Sequence, residues 1–419
     1  MQRAADAVGV LNKGLGFFEP SAGREQIVRL GWNLLREDLS LPAAVLDQDR
    51  LAHNLSWMRK FIDAYGLRLA PHGKTTMAPR LFEMQMQSGA WGITLATAQQ
   101  VRVAHTHGIR RVLMANQLVG KENMAIVSRM LEDPGFDFYC LVDSAAQVDQ
   151  LGAFYANRGQ RLQVLLELGV DGGRAGVRDE RQLQSTLESL ARWKDAVVLC
   201  GLEVYEGVLD DEGAIRDFLR HAVKVTRQLQ GENRFRRSPA ILSGAGSAWY
   251  DVVAEEFSQA GLGGEMDVVL RPGCYLTHDV GIYRRAQTRI LAHNPVAQKM
   301  HEGLLPALQV WAYVQSIPEE EKAIIAMGKR DAAFDACLPV PVLHFRPGQA
   351  APKAAPLHWK LTTMMDQHAS MHISAGDDLC VGDMIGFDIC HPCLTFDKWR
   401  MLSVVDAQYQ VVDIIQTFF

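Results

Sequence analysis

At 419 residues, 48% hydrophobic and 22% charged, the chain has the make-up of a globular protein long enough for one large domain and a smaller one. A net charge of −5, with no run of Lys and Arg interleaved with aromatics, argues against a nucleic-acid partner. No apolar stretch nears the ~20 residues of a membrane-spanning helix, and Gln2 to Asn12 lacks a secretory pattern, so the reading is a cytoplasmic protein with no membrane partner and with its seven scattered cysteines reduced.

In chain order, residues 1–41 read as an arm able to pack on either domain. Residues 42–280 then alternate between apolar runs and helical segments. Eight runs rich in Val, Ile and Leu, at 68–71, 92–96, 111–116, 137–143, 163–169, 197–205, 240–243 and 267–271, have the texture of parallel strands buried on both faces. Between them, Val148, Leu151 and Tyr155 follow a Ser144 cap with helical period, and so do Ile215, Leu219, Ala222, Val225 and Leu229 in the next long segment. Eight strand and helix units predict an α/β fold, a closed (β/α)8 TIM-like barrel. The alternative is a doubly wound sheet, but no G-x-G-x-x-G follows the first strand.

Residues 281–419 change texture to alternating strands (308–315, 322–327, 383–387 and 409–415), which predicts a mostly β C-terminal domain. The Pro- and Ala-rich stretch 346–356 reads as an exposed loop.

In such barrels chemistry gathers at the carboxyl ends of the strands. Lys74 follows the first run, and a lysine in a partly dry pocket is a Schiff-base nucleophile. Thr97 follows the second run, Asn116 the third and Arg174 the fifth, while Tyr205 ends the sixth. After the seventh comes Ser243-Gly244-Ala245-Gly246-Ser247, and after the eighth Arg271-Pro272-Gly273-Cys274-Tyr275. Small residues let backbone N–H groups converge on an anion, and these two loops are where barrel enzymes bind phosphate. A glycine-rich turn serving only as a tight connection has the same composition. An amine facing a phosphate site implies a phosphorylated carbonyl cofactor, and pyridoxal 5'-phosphate fits, with Arg174 and Tyr205 either touching its ring or serving as scaffold.

The tail holds a second constellation, Cys390-His391-Pro392-Cys393. In an extended segment His391 and Cys393 share a face, and imidazole plus thiolate suits Zn²⁺ better than Mg²⁺ or Ca²⁺. The competing readings are a packed thiol with a hydrogen-bonded histidine, or a closed structural site that includes Cys380.

Taken together, Pro71-His72-Gly73-Lys74-Thr75, Gly172-Gly173-Arg174-Ala175-Gly176, Tyr205-Glu206-Gly207, Ser243 to Ser247, Pro272-Gly273-Cys274-Tyr275, Asp366-Gln367-His368 and His391-Pro392-Cys393 resemble the D-threonine aldolase and D-serine dehydratase group of the alanine racemase-like (fold type III) pyridoxal-phosphate enzymes. The resemblance spans most of the chain. It implies that Lys74 carries the cofactor, that His72, Thr97, Arg174, Tyr205, Ser243 to Ser247 and Tyr275 surround it, that His391 and Cys393 bind a divalent metal, for which Zn²⁺ is the expectation, and that the protein is a homodimer. Ala245 and Ser247 stand where relatives often have Gly and Thr, and the sequence around His368 departs from the common pattern, so no role for His368 is carried over. Arg330 reads either as a carboxylate ligand or as part of a turn.

The expected activity is metal-assisted β-elimination from a D-β-hydroxy amino acid, with D-serine as the simplest substrate and a 2-oxo acid and ammonia as products. Retro-aldol cleavage of D-threonine is the alternative; the resemblance associates His-x-Cys with dehydratases and His-x-Asp with aldolases, which favours elimination. A racemase using Tyr275 as a second acid/base group, and a non-catalytic cofactor carrier, rank below both.

Overall fold

Ala43–Asp47 forms strand β1, which does not join the strands that follow it in sequence. The computed structural model describes residues 12–19 and 23–419. After the long helix Gln48–Tyr65 come eight parallel strands: β2 (Arg68–Leu69), β3 (Ile93–Leu95), β4 (Arg111–Gln117), β5 (Asp137–Val142), β6 (Leu162–Leu168), β7 (Val197–Val204), β8 (Ala240–Gly244) and β9 (Met266–Leu270). All eight lie where the apolar runs place them. They form one curled sheet in the order β2-β9-β8-β7-β6-β5-β4-β3. Its two ends meet through a bridge between His72 and Thr94, with Thr94 N donating to Pro71 O at 2.8 Å and Trp91 N to Leu69 O at 2.7 Å.

The strands sort their side chains by the period of two that a pleated backbone imposes. Leu113, Leu141, Leu165, Ile241 and Val269 fill the barrel, while Val112, Met114, Phe138, Val164 and Leu202 face the surrounding helices. A helix follows each of the first seven barrel strands. Ser144 caps Ala145–Ala156 by accepting from Gln147 N, and Asp211 caps Glu212–Gly231 by accepting from Ala214 N. Among the described residues no helix is long and apolar enough to cross a membrane.

The rest of the chain adds β10 (Leu308–Glu319), β11 (Lys322–Ile325), β12 (Val340–Phe345), β13 (Lys353–Ala354), β14 (Lys360–Met364), β15 (Ala369–His372), β16 (Met384–Asp388), β17 (Met401–Val405) and β18 (Val411–Gln416). Their sheet runs β13-β12-β16-β10-β1-β17-β18, with β11, β15 and β14 extending from β10. β1 therefore belongs to this second sheet, antiparallel to β10 and parallel to β17, although it lies inside the 42–280 stretch assigned to the barrel. The described part of the N-terminal arm packs here too. Leu15, Phe18, Ile27, Trp32 and Leu34 share a core with Trp311, Phe345 and Met384, while residues 1–11 and 20–22 of that arm lie outside the described residues.

One expectation is corrected. Cys337 and Cys390 are joined in a disulfide, so the cysteines are not all reduced thiols. The two positions are 53 apart in sequence, and only the fold of the tail against the segment before β12 brings them together.

Candidate active site

β2 runs into a single tight turn, Gly73–Thr75, which sets Lys74 on the carboxyl rim of the barrel. Lys74 is exposed at this mouth rather than held in a dry pocket. Behind it the Nδ1 atom of His72 is buried with no partner among the described residues. Burial, followed by the charges of Lys74, Arg271 and Arg174, holds the His72 pKa well below the ordinary imidazole value, so the ring is neutral.

Arg174 lies with its guanidinium 4.8 Å from the centre of the Tyr205 ring, a cation–π contact instead of an ion pair with Asp171. Thr97 caps the helix Ala98–Thr106, its hydroxyl accepting from Gln100 N at 3.3 Å. Asn116 donates to Ala96 O at 2.8 Å.

The seventh-strand loop departs from a simple cradle. The Glu206 carboxyl accepts from Ala245 N at 3.1 Å and from Gly246 N at 2.6 Å, so these two amides hold a side chain of the protein itself. Burial pushes the Glu206 pKa up, against the pull of those hydrogen bonds. Ser243 is not available to an incoming anion either: its hydroxyl donates to Val269 O and accepts from Arg271 Nε at 2.9 Å. Gly244 is buried in β8. The amides of Ser247 and Ala248 donate to nothing among the described residues.

Ser247 Oγ accepts from Gly273 N and Cys274 N, both at 3.0 Å, and so joins the two rim loops. Gly273 needs to be glycine, because a Cβ there would lie 2.6 Å from His72 O and 2.8 Å from Thr75 Oγ1. The same close approach brings the lysine turn against the phosphate-type loops. Tyr275 is buried, and its hydroxyl accepts from Gln85 Nε2 at 3.3 Å. Under the rim, buried Arg271 pairs with Glu203 and donates to Val204 O.

The tail closes the mouth from the other side. β16 ends at Asp388, and Cys393–Phe396 forms a short helical turn, not the extended segment expected. This turn packs on Gly73–Thr75. The Cys393 thiol lies 3.5 Å from Thr75 Oγ1 and 3.8 Å from the Cys274 sulfur. That contact with Cys274, reinforced by His391 and Thr75, pulls the Cys393 pKa down, while the Cys274 pKa is pushed up by the same contact and by burial. His391 Nδ1 is 2.7 Å from the Asp335 carboxylate, and hydrogen bonding to Cys393, then Asp335, raises the imidazole pKa to about 9. Among the described residues no three His, Cys, Asp or Glu side chains already converge as a metal-binding set. Cys380 is exposed and donates its amide to Asp383, away from this cluster.

Asp366-Gln367-His368 is the exposed tip joining β14 to β15, and Arg330 lies 3.7 Å from Asp366. Sequence reasoning passed over Glu206, Arg271, Cys274 and Thr75 as site residues although each stands inside a motif it singled out. Asp335 carries no sequence signal.

A family profile described as "Alanine racemase, N-terminal domain" matches residues 46–277, more than half of the chain, and one described as "Putative serine dehydratase domain" matches 307–405. The chain is 27% identical to a D-threonine aldolase of Arthrobacter sp over 343 residues, which is 80% of each protein. It is 33% identical to the D-threo-3-hydroxyaspartate dehydratase of Delftia sp. (strain HT23) over 139 residues, 33% of this chain and 36% of that enzyme's length. Among solved structures, the D-threonine aldolase from Filomicrobium marinum shares the fold with a TM-score of 0.75 at 22% identity, over 92% of this chain and 97% of that one. A cysteine-to-alanine variant of a D-threo-3-hydroxyaspartate dehydratase, in a metal-free form, superposes with a TM-score of 0.72 at 21% identity, over 92% and 99%. The lysine turn, the paired rim loops and these matches agree, and the chain belongs to the alanine racemase-like, fold type III pyridoxal-phosphate enzymes, in the group of D-threonine aldolase and D-serine dehydratase.

Proposed function

We propose that the protein is a metal-assisted pyridoxal-phosphate lyase acting on a D-β-hydroxy amino acid, with D-serine cleaved to pyruvate and ammonia. The observation that carries this is the contact of Cys393 with Thr75, because it sets a thiol and imidazole pair directly beside the residue that follows Lys74. The mouth fits the cofactor. It offers an exposed amine, the cation Arg174, an orphaned His72 Nδ1, and the unused amides of Ser247 and Ala248. When bound, the cofactor supplies an electron sink for a Cα carbanion, and a divalent metal supplies Lewis-acid polarisation of the β-oxygen.

The chain's own residues then divide the work. Lys74 takes the Cα proton from the face it occupies. The Ser247 and Ala248 amides would hold the phosphate, and Glu206 keeps the loop in shape by bridging Ala245 and Gly246. His391 and Cys393 would hold the metal, with Asp335 fixing the imidazole through Nδ1.

Retro-aldol cleavage is the second reading, favoured by the match to a D-threonine aldolase over 80% of the chain. Incubation with D-serine, D-threonine and D-3-hydroxyaspartate separates the two. Oxo acid and ammonia are expected; glycine and an aldehyde without oxo acid would reverse the choice. The homodimer and the cytoplasmic location remain parts of the proposal, the former tested by mass in solution.

A further inference from the structure

Cys274 has no role in the reading above. We propose that Cys274 is a third protein ligand of the metal held by His391 and Cys393, giving a site of two thiolates and one imidazole with one position left open. The inference rests on the metal reading of the preceding subsection and deepens it.

Two thiolates, each about 2.3 Å from a tetrahedral Zn²⁺, stand about 3.8 Å apart. The sulfurs of Cys274 and Cys393 are 3.8 Å apart, although the residues are separated by 119 positions in sequence. A disulfide needs about 2.05 Å, so the pair stands at the spacing of two ligands rather than of a bond. The nearby Cys337 and Cys390, by contrast, are joined. Thr75 Oγ1 lies 3.8 Å from Cys274 and 3.5 Å from Cys393, so one hydroxyl braces both sulfurs.

Catalytic zinc sites take three protein ligands and keep a fourth position for water or substrate. His391 and Cys393 supply two. Among the described residues the three side chains do not converge as a set, but the two sulfurs stand at the separation that two ligands of one ion need. Cys274 is buried at 3% exposure, whereas Cys393 is partly exposed. A position left open would therefore lie on the partly exposed Cys393 side rather than on the buried Cys274 side.

The holoenzyme loaded with Co²⁺ reports thiolate ligands by sulfur-to-cobalt charge-transfer absorption, and X-ray absorption of the Zn²⁺ form counts sulfurs at about 2.3 Å. Two sulfurs are expected in the unaltered protein. Cys274→Ser should leave one, with about half the charge-transfer intensity and Zn²⁺ affinity at least ~10-fold weaker in chelator competition, while the visible band of the cofactor is unchanged. Cys393→Ser should lose as much. If Cys274→Ser changes neither intensity nor sulfur count while Cys393→Ser lowers both, Cys274 is not a ligand and the metal reading stands. If the unaltered holoenzyme takes up no stoichiometric metal, both fall. Should Cys274→Ser misfold, the sulfur count of the unaltered protein decides alone: one sulfur refutes the inference.

Discussion

On the barrel side of the mouth the charged groups are hard, buried and paired: Arg271 with Glu203 beneath the rim, and Glu206 on two backbone amides. On the tail side stand the partly exposed Cys393 thiol and the His391 imidazole, which meet the buried Cys274 thiol and Thr75 hydroxyl of the rim loops. Strand β7 and the turns after β7 and β9 fix the first set. A one-turn helix after β16, with a disulfide at Cys390 just before it, fixes the second. The contrast separates two tasks, since anion recognition calls for rigid backbone donors and metal ligation calls for side chains that adjust by a rotamer.

The most severe way to test that division is Lys74→Ala. Loss of the amine should abolish the visible band of the bound cofactor and lower turnover by ~10⁴ or more. An absorbance scan with a product assay checks it, and a retained band would remove Lys74 from its role. Cys393→Ala should act on the tail side alone, lowering turnover by about a thousandfold, the several kcal/mol of lost Lewis-acid stabilisation, while the band persists. If the band vanishes with Cys393, the two sides are not separable.

The same contrast governs what could be read from sequence. The barrel strands were legible because each is buried on both faces and so leaves a continuous apolar run, such as Val112 to Ala115. The second sheet was less so. β12 contains Pro341, β13 is two residues long inside a stretch that reads as loop, and β1 finds its partners in β10 and β17, far along the chain. In the site, Lys74, His391 and Cys393 announced themselves by residue type and neighbours. The link of Thr75 to Cys393, the seat of Glu206 on the loop amides and the turning of Tyr275 into the core are facts of three-dimensional approach, and residue type alone does not encode them.

A smaller effect sharpens the comparison from the side of stability, because the second domain has one ion cluster built like those of the barrel. Asp383, 2% exposed, accepts from Arg346 Nε at 2.9 Å and from Cys380 N at 2.9 Å, and lies 2.8 Å from His344 Nε2. Burial acts to raise its pKa, but Arg346, the Cys380 amide and His344 outweigh it and hold the carboxyl below the ordinary value of 3.8. A depressed carboxylate contributes stability that is fully present above the unfolded value and is lost as pH falls below it. Asp383→Asn should therefore destabilise by about 3 kcal/mol near neutrality, with the gap to the unaltered protein closing below about pH 4. Denaturant melts at several pH values measure this, and a gap independent of pH would assign the loss to packing.

The smallest effect lies in the loop after β8. Ala245 has φ +80°, in the left-handed region where a Cβ meets the following carbonyl. The conformation persists because Ala245 N and Gly246 N are both tied to the Glu206 carboxyl, so the loop's shape is set by that anchor and not by the preference of residue 245. Ala245→Gly relieves the steric cost but frees the unfolded chain, and the balance should stabilise by no more than ~1 kcal/mol. Glu206→Gln weakens the anchor while the strained residue stays, so the gain from Ala245→Gly should grow in that background. A double-mutant cycle read by thermal unfolding tests the coupling. Strict additivity would mean that the loop is held by something other than Glu206, and the rigid-donor side of the comparison would lose its support.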